Sequence, residues 1–456
     1  MTKPLDTLKT SALQRRLSIA KTSLTIGKNW AKNSVSAMFL SPAEKERQKT
    51  ALMQEQAQYL VNELGKLKGS VVKVGQMLAL YGEHMLPNEI VSALHTLDDN
   101  TAPLAWHVIY DAIKRELGER IDDFEIERTP IGTASLAQVH KAVHKFTGQT
   151  VVLKVQYPNV ASAIDADLSL FKTLLVASSI LPQTKALDAW FEEVRELLHR
   201  EVDYTLEANT TKRFAKYLAD NEHYVVPTIY DNYSTARLLC MSYEDGVHLN
   251  DDSLTQLSQD RRNRLGQLAV SIVIREIFEW GEMQTDPNFG NYLVRLSDDG
   301  VADKLVLLDF GAIKQFDDKL LSIAKKLLTA GFYQDKTLMK NAMTGYEFFD
   351  KLTGKPKDDM AQVFLLACEP FAGCEHLADK SHLDNDRYIW ASSDLYARVM
   401  SQAKDGMTSL EFALPPKEMM FISRKFIGAY AMLSALDART CADTLVAPYL
   451  SPKNTP

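Results

Sequence analysis

A carboxylate, a carboxamide and a second carboxylate stand in a fixed order in this chain and restrict the folds open to it. Asp286 begins the segment Asp286-Pro-Asn-Phe-Gly-Asn291, and Asp309 follows eighteen residues after Asn291, directly behind the apolar run Leu305-Val-Leu-Leu308. Carboxylate and carboxamide oxygens are the ligands that a hard divalent cation prefers. Either segment alone is an ordinary turn. Together they predict a metal-dependent site in which Asp286 orients a hydroxyl or a water.

Protein kinases use this order of residues. A catalytic-loop Asp stands near the acceptor, an Asn five residues later holds one Mg²⁺, and the Asp of a DFG turn after a strand holds another. Here the turn is Asp309-Phe-Gly, but Gln284-Thr285 stands where ordinary kinases carry a His-Arg pair. The order favours phosphoryl chemistry with Mg²⁺ and ATP.

Composition is consistent with this interpretation and argues against other classes of protein. The chain has 456 residues, which suggests two lobes, and its formal net charge of −7 gives no general attraction for nucleic acid. Four scattered cysteines without a CxxC pair argue against a zinc site or a disulfide scaffold and fit a reducing compartment. No apolar run approaches the ~18–20 residues of a membrane span, so we expect a soluble or peripheral protein.

The N-terminal segment is basic. Residues 1–33 carry seven Lys or Arg and one acid, with apolar residues close to helical spacing. Such a helix can lie on an anionic membrane surface, serve as a mitochondrial transit peptide, or remain a solvated helix packed on its own domain. A longer helix is predicted over 42–85, followed by two short helices up to about Leu117. Lys73 and Gln76 share one face of the long helix.

A strand pattern begins at Phe124. The small-residue loop Gly132-Thr133-Ala134-Ser135 follows, and it allows backbone amides to approach phosphate oxygens. Val151–Gln156 is predicted as a strand with Lys154 at its centre, either on the solvent face or at the position of a phosphate-binding lysine. No GxGxxG is present, so the loop departs from that of ordinary kinases.

The remaining pattern is mostly helical. A long helix is predicted over 184–219, strands over 226–230 and 236–241, a helix over 254–282, and helices throughout 317–446. The segment Ser242-Tyr243-Glu244-Asp245-Gly246 is a predicted hinge between strands and helices, and its backbone groups could contact the edge of an adenine ring.

Several motifs occur in the order found in the UbiB family of atypical kinases, also called the aarF-domain (ADCK) family, and we identify the chain as resembling its coenzyme Q branch. The motifs are Lys73-x-Gly75-Gln76, the small-residue loop, Val-x-Lys154-Val-Gln, Glu201-x-Asp203, Asp286-Pro-x-x-Gly-Asn291, Asp309-Phe-Gly, Met343-Thr-Gly-Tyr-Glu347 and Ser423-Arg-Lys-Phe-Ile-Gly428.

The resemblance implies an α+β fold, namely a bilobal protein-kinase-like fold with an N-terminal helical extension and a mostly helical C-terminal lobe. The expected divisions are a basic amphipathic segment at 1–48, a helical extension at 49–122, an N-lobe at 123–245 and a C-lobe at 246–456.

The resemblance also implies a role for each motif. Lys154 would pair with Glu207 and with the phosphates, and Asp286 would be the catalytic-loop carboxylate. Asn291 and Asp309 would hold Mg²⁺. The nucleotide would further contact the following residues: Gly132, Thr133, Ala134, Ser135, Ser242, Tyr243 and Glu244. The family-specific or regulatory residues would be Lys73, Gly75, Gln76, Glu201 and Asp203, with the lysine facing the two carboxylates.

Two positions depart from the family pattern. The loop has Gly132-Thr133 where the family usually has two alanines, which bears on nucleotide preference and rate. Ser242 stands at the hinge where a carboxylate is common, which shifts adenine contacts toward the backbone.

The implied function is an atypical kinase or ATPase that binds Mg-ATP. It would support ubiquinone (coenzyme Q) biosynthesis by ATP hydrolysis or by phosphoryl transfer to a small or lipid-like acceptor. Expected partners are the nucleotide, a membrane surface, a quinone-precursor lipid and other quinone-biosynthesis enzymes, with no nucleic acid. The expected location is cytoplasmic and peripheral on the inner membrane, or alternatively the mitochondrial matrix side. An ordinary protein kinase and a nucleotide-gated lipid-binding or scaffold module are the alternatives.

Overall fold

The structure, a computed structural model, describes most of the chain from Ser70 onward. The described residues are Ala51, Gln54, 70–81, 86–94, Thr96, 103–134, 136–177, 183–249, 251–286, 288–407 and 417–452. The predicted basic helix of residues 1–33 lies outside them. Of the helix predicted over 42–85, Ser70–Tyr81 is described as one continuous helix.

The chain divides into two compact units. The first comprises the residues up to Lys212 and the segment Thr228–Tyr243, and the second comprises Arg213–Pro227 and the residues from Glu244 onward. The chain therefore enters the second unit within the helix Tyr204–Tyr217, returns to the first unit after Pro227, and enters the second unit again after Tyr243.

The first unit combines helices with an antiparallel sheet. Its helices are α1 (Ser70–Tyr81), α2 (Asn88–Leu94), α3 (Trp106–Leu117), α4 (Val160–Ala177), α5 (Lys185–Glu201) and the start of α6 (Tyr204–Tyr217). Its strands are β1 (Phe124–Ile126), β2 (Gly132–Thr133), β3 (Ala137–His144), β4 (Thr150–Gln156) and β6 (Leu238–Ser242). In the sheet, β3 pairs with β1, β2 and β4, and β4 pairs with β6.

Strand β4 is buried on both faces, which explains its β-branched run. Val151 and Val155 point into the larger core, which also contains residues of α4 and α5. Val152 points to the opposite face and packs with Ala208 of α6. Because side chains alternate along a strand, Lys154 shares the face of Val152 and is directed toward α6.

The single long helix predicted over 184–219 is wrong. The chain forms α5 and α6 instead, separated at Val202 and Asp203. Asp203 causes the break because its Oδ1 accepts hydrogen bonds from the backbone N–H groups of Thr205 and Leu206, 3.1 and 3.0 Å away. It is thus a helix N-cap, a position that Asp favours over the helix interior.

The second unit is mostly helical, as predicted. Its larger helices are α7 (Gln259–Phe278), α8 (Asp318–Phe332), α9 (Lys336–Ala342), α10 (Glu347–Asp350), α11 (Lys355–Ala367), α12 (Leu395–Met407), α13 (Lys417–Ala435) and α14 (Ala442–Val446). Its strands are β5 (Tyr224–Val225), β7 (Val247–His248), β8 (Glu282–Gln284), β9 (Tyr292–Arg295), β10 (Lys304–Leu307), β11 (Ile313–Gln315), β12 (Leu383–Asp384), β13 (Arg387–Ile389) and β14 (Arg439–Thr440).

Two predictions of secondary structure after residue 225 need correction. The strand predicted over 226–230 is placed at Tyr224–Val225, where β5 pairs in parallel with β10, and Ile229 makes an isolated bridge to Met241 in the first unit. The region 317–446, predicted as helical, also contains the small sheet β12–β13–β14. Strand β14 belongs to it through pairing from far along the chain, which a local pattern does not reveal.

The second unit positions its polar loops with two short sheets. Strands β9 and β10 pair antiparallel in register Tyr292 to Leu307, and β8 pairs with β11 in register Gln284 to Ile313. Helix α7 packs against β8, β10 and α13. In the described part of the chain, no helix is both long and apolar enough to cross a membrane.

Candidate active site

The described residues place the predicted functional groups in two sets, one in each unit. In the first unit, the Nζ of Lys154 lies 2.6 Å from Oε1 of Glu207. The lysine side chain is 17% exposed and the glutamate side chain 2% exposed. Lys154 also lies over the ring of Tyr204, with Nζ 5.3 Å from the ring centroid. The predicted ion pair is thus present, and the Lys154 ammonium group lies beside one oxygen of the buried Glu207 carboxylate.

The small-residue loop begins with strand β2, Gly132–Thr133, and leads toward β3. The N–H of Ala134 donates to the carbonyl oxygen of Ala137 at 2.9 Å, and the N–H of Tyr157 donates to the carbonyl oxygen of Leu136 at 3.0 Å. The amide of Ala134 is therefore engaged within the protein, so this loop does not offer phosphate a full row of amides. Ser135 lies outside the described residues.

The Lys-x-Gly-Gln motif lies on α1, which packs against α4 and α5. Its Lys73 forms an ion pair with Glu201 at the end of α5, as the family resemblance implies. Gly75 is buried and Gln76 is half-buried. Asp203 lies two residues beyond Glu201 and caps α6. Its carboxylate therefore has a local structural role that the sequence analysis did not assign.

The predicted hinge is partly engaged by the sheet of the first unit. The N–H of Ser242 donates to Thr228 O at 2.9 Å, and the N–H of Tyr243 donates to Thr150 O at 3.2 Å. The carboxylate of Glu244, in the second unit, accepts from Arg295 at 2.6 Å. Two of the predicted backbone donors thus serve the protein itself.

In the second unit, the Asp286 segment is a tight polar turn. The Nδ2 of Asn291 donates to Oδ2 of Asp286 at 3.0 Å, and Asn288 N donates to its Oδ1 at 3.3 Å. The Oδ1 of Asn288 accepts from Gly290 N at 2.9 Å. These bonds orient the Asn291 amide so that its Oδ1, the atom able to bind a cation, points away from Asp286.

The hairpin β9–β10 brings Asn291 and Asp309 together. Asn291 directly precedes Tyr292, which pairs with Leu307, and Leu308 N donates to Asn291 O at 3.0 Å. Asp309 follows immediately, and its Oδ1 accepts from Gly311 N at 2.8 Å. The two predicted metal ligands therefore leave adjacent strands at the same end of the hairpin.

Gln284 is a residue of this site to which the sequence analysis gave no role. Its side chain is buried, its Oε1 accepts from Asp286 N at 2.6 Å, and its Nε2 donates to Asp309 O at 2.9 Å. One carboxamide thus joins both loops. A buried polar residue at the end of a strand, two positions before a functional Asp, was the available signal.

These residues fit a Mg²⁺ ion that is bound together with a nucleotide. Asn291 and Asp309 supply oxygen ligands only, and Mg²⁺ usually takes one or two such protein ligands beside substrate phosphates and water. Among the described residues, no group of three or more His, Cys, Asp or Glu side chains could hold a metal ion. The geometry therefore fits a shared metal better than one caged by the protein alone.

An apolar cavity of about 330 Å³ lies elsewhere in the second unit. Side chains of α8, α11, α12 and α13 line most of it, and none of the described lining residues is charged. At the cavity, Tyr396, Met400 and Ile427 are large apolar residues that remain exposed. Its lining lacks the groups that phosphoryl chemistry needs, so it is a separate feature from the polar loops.

The fold and these two sets of residues define a protein-kinase-like enzyme. Residues 96–343 match the family model described as "ABC1 atypical kinase-like domain". The chain belongs to this family. The predicted membership of the UbiB atypical kinases is thereby confirmed, and with it the enzyme class, a kinase-type phosphotransferase.

Two yeast proteins illustrate the relationship. "Atypical kinase COQ8, mitochondrial" of Saccharomyces cerevisiae is 28% identical over 448 residues, which cover 95% of this chain and 84% of the relative. The protein of the same name from Schizosaccharomyces pombe is 30% identical over 392 residues, covering 85% of this chain and 61% of the relative. This chain therefore spans most of the first relative and less than two thirds of the second.

A solved structure agrees with the fold. A Mycobacterium tuberculosis protein determined in complex with erythromycin superimposes with a TM-score of 0.56 at 22% identity, covering 90% of this chain and all of the other. At this identity the likeness concerns the fold alone.

Proposed function

We propose that this protein binds Mg-ATP and hydrolyses it or transfers its phosphoryl group to a small or lipid-like acceptor, in support of ubiquinone biosynthesis. The observation that carries the proposal is the junction of Asn291, Asp309 and Asp286 through one hairpin and one buried glutamine. Family membership supplies the use of ATP. The acceptor class and the role of Mg²⁺ are parts of the proposal itself.

Lys154 is proposed to bind the nucleotide phosphates. Its pairing with a buried glutamate fixes the ammonium in place before any ligand arrives, which lowers the entropy cost of binding phosphate. The Tyr204 ring beneath it restricts the side chain further. The amide of Ala134 is engaged by Ala137 O, which supports a larger share for Lys154 in the proposed phosphate binding.

Asn291 and Asp309 are proposed to be the metal ligands, and Asp286 to orient the attacking hydroxyl or water. Mg²⁺ would neutralise charge on the transferring phosphoryl group. The protein's part is positioning, because phosphoryl transfer depends on orientation and on preorganised charge. The hydrogen bond from Asn291 Nδ2 fixes the Asp286 carboxylate, so that its direction does not change when the nucleophile binds.

The link to quinone biosynthesis rests on the relatives. The names of these yeast proteins, "Atypical kinase COQ8, mitochondrial", place them in mitochondria. We propose that this chain acts at the surface of an inner membrane. The surface is the cytoplasmic face or, alternatively, the matrix face of the mitochondrial inner membrane. The described residues contain no helix able to span a membrane, which agrees with a peripheral association.

The direct test combines an enzyme assay with complementation. The purified protein should release phosphate from ATP only when Mg²⁺ is present. A deletion strain should regain its quinone content with the wild-type gene but not with Asp309→Asn. Normal quinone content in the deletion strain would exclude the biosynthetic role. Efficient phosphorylation of a general protein substrate in trans would instead favour an ordinary protein kinase.

A second candidate function, binding of a quinone-precursor lipid, is favoured by the apolar cavity. Its volume of about 330 Å³ is near the lower end of typical ligand sites, and its lining is almost wholly apolar. Filling it with Ala324→Phe, on α8, should abolish binding of a prenylated phenol measured by fluorescence, and should leave Mg-ATP binding intact. Retention of phenol binding by this variant would exclude the cavity as the site.

A further inference from the structure

Beneath the two polar loops lies a buried group of charged and polar side chains. Lys425 of α13 and Glu276 of α7 form an ion pair of 2.7 Å, with side chains 4% and 1% exposed. The same Nζ donates to the hydroxyl of Tyr292 at 3.2 Å. Two charges this deep in a protein are costly to desolvate, and the ion pair is therefore weak support for stability alone.

The ion pair is connected to the loops by packing and by hydrogen bonds. Helix α7, which carries Glu276, packs against strand β8, which ends at Gln284, and the side chain of Gln284 contacts Asp286 N and Asp309 O. Tyr292, which accepts from Lys425, follows Asn291 directly. The hydroxyl that Lys425 contacts thus belongs to a residue that adjoins the loop of a proposed metal ligand.

The electrostatics of the group are consistent with this connection. Burial raises the pKa of Glu276, and the Lys425 ammonium and the Gln284 amide oppose that rise. Burial lowers the pKa of Lys425, but the Glu276 carboxylate and the Tyr292 hydroxyl outweigh burial and leave it above its ordinary value. The lysine is therefore held as an ammonium, able to bind two partners at once.

We propose that Lys425, Glu276 and Gln284 are positioning residues that hold the Asp286 and Asp309 loops at a fixed separation. The connection runs from α13 to Tyr292 by a hydrogen bond, and from α13 to α7 by the ion pair. It continues through the packing of α7 on β8 to Gln284, whose side chain contacts both loops. This inference rests on the proposed function only for its effect on rate, and its effect on loop order can be measured without any activity. The proposal also assigns a role to Lys425, which lies in Ser423–Gly428, a segment that resembles the C-terminal part of the family.

The test uses the full chain with Glu276→Leu combined with Lys425→Met. Replacing both charges by apolar side chains of similar size leaves no buried charge alone, so the fold should persist. A matched control combines Glu369→Leu with Arg398→Met, which removes another ion pair of the second unit, 2.6 Å long. Thermal unfolding would establish that both variants fold.

Amide hydrogen exchange is the first measurement. In the positioning variant, exchange at 285–291 and 309–311 should rise at least about tenfold, while the middle of α7 keeps its protection. The control variant should show wild-type exchange in both loops. Wild-type protection of both loops in the folded positioning variant would overturn the proposal, whether or not the protein hydrolyses ATP.

The rate of ATP hydrolysis is the second measurement. Misplaced loops should lower kcat by about 100-fold and change KM for Mg-ATP by less than about threefold. A folded variant with wild-type kcat would overturn the proposal. Absence of ATPase activity in the wild type would instead contradict the proposed function, and the exchange data would still decide the positioning role.

Gln284→Glu provides a variant of almost unchanged size if the double variant does not fold. It keeps an acceptor for Asp286 N but loses the donor to Asp309 O. Exchange should therefore increase chiefly at 309–311, with the same fall in kcat. Unchanged exchange and unchanged kcat in this variant would overturn the proposal.

Discussion

The backbone N–H of Leu308 donates a hydrogen bond of 3.0 Å to the carbonyl oxygen of Asn291. This bond extends the β9–β10 ladder by one step beyond its last registered pair, Tyr292 with Leu307. It fixes the Asn291 side chain beside the start of the Asp309 turn, although the two metal-ligand candidates are eighteen residues apart in the sequence. Regular strand geometry therefore places Asn291 and Asp309 at the same end of the hairpin, as the proposed metal site requires.

Removal of Lys154 tests the ion pair of the first unit. Lys154→Met should abolish detectable Mg-ATP binding in calorimetry and should lower the free energy of unfolding by about 3 kcal/mol, because it withdraws the ammonium from a buried carboxylate. The double variant with Glu207→Leu should regain most of that stability but not the binding. Nucleotide binding by the double variant would remove Lys154 from the site.

Gly132 is expected to tolerate alanine. A Cβ there would meet its nearest neighbour, the Cβ of Val139, at 3.7 Å, an ordinary contact, and the backbone is not in the left-handed region. Gly132→Ala should therefore leave the protein as stable or raise the free energy of unfolding by about 0.5 kcal/mol. Any change in nucleotide affinity would then come from the loop itself. A clear loss of stability in urea denaturation would contradict this reasoning.

Asp203 is expected to act on stability through its capping bonds. Asp203→Ala should lower the free energy of unfolding by about 1 kcal/mol, since two N–H groups of α6 lose their acceptor. Asp203→Asn keeps an oxygen acceptor and should retain nearly wild-type stability. Equal losses in both variants would show that the charge, not the cap, is what matters.

His140 should make the stability of the protein depend on pH near neutrality. Burial lowers the pKa of His140 from 6.5 despite the bond to Glu127 O. Its Nδ1 donates to that carbonyl at 2.8 Å, and its Nε2 accepts from Gln138 at 3.1 Å. Gln138 is fixed in this orientation because its Oε1 accepts from Leu104 N at 2.9 Å. A proton on Nε2 would therefore face another N–H.

The sign of this dependence follows from the lowered pKa. Above pH 6.5 both folded and unfolded chains carry neutral His140, and its contribution is complete. As the pH falls below 6.5, the unfolded chain takes up a proton first, and stability is lost. Wild type should lose about 1 kcal/mol more than His140→Gln between pH 7.5 and 5.5 in urea denaturation. The exposed His107→Gln control should behave as wild type.

Sequence patterns predicted the parts of this protein that depend on local chemistry. The strand around Lys154 and the order of Asp286, Asn291 and Asp309 follow from local patterns and spacing, whereas the Glu207 partner of Lys154 was implied by the family resemblance. The break at Asp203 was missed, because an acidic residue within a helical pattern can be either a surface position or a cap. Tertiary packing sets the direction of the chain after Glu201, and this direction decides whether Asp203 is a surface residue within one helix or the cap of a second helix.

The support beneath the loops could not be read from the sequence. Glu276 and Lys425 are 149 residues apart, and each is an ordinary charged residue within a helical pattern. Only the packing of α7 against α13 brings them together. Likewise, β5 pairs with a strand that lies about 80 residues further along the chain, and its local pattern gives no register.

The most direct test of the account is the Mg²⁺-dependent thermal shift of the wild type and Asp309→Asn. Wild type should unfold at a higher temperature with Mg-ATP than with ATP and a chelator, because a bound ligand stabilises the folded state. Asp309→Asn should show no difference between the two conditions, since the charged metal ligand is gone. An unchanged Mg²⁺-dependent shift in Asp309→Asn would contradict the proposed metal site.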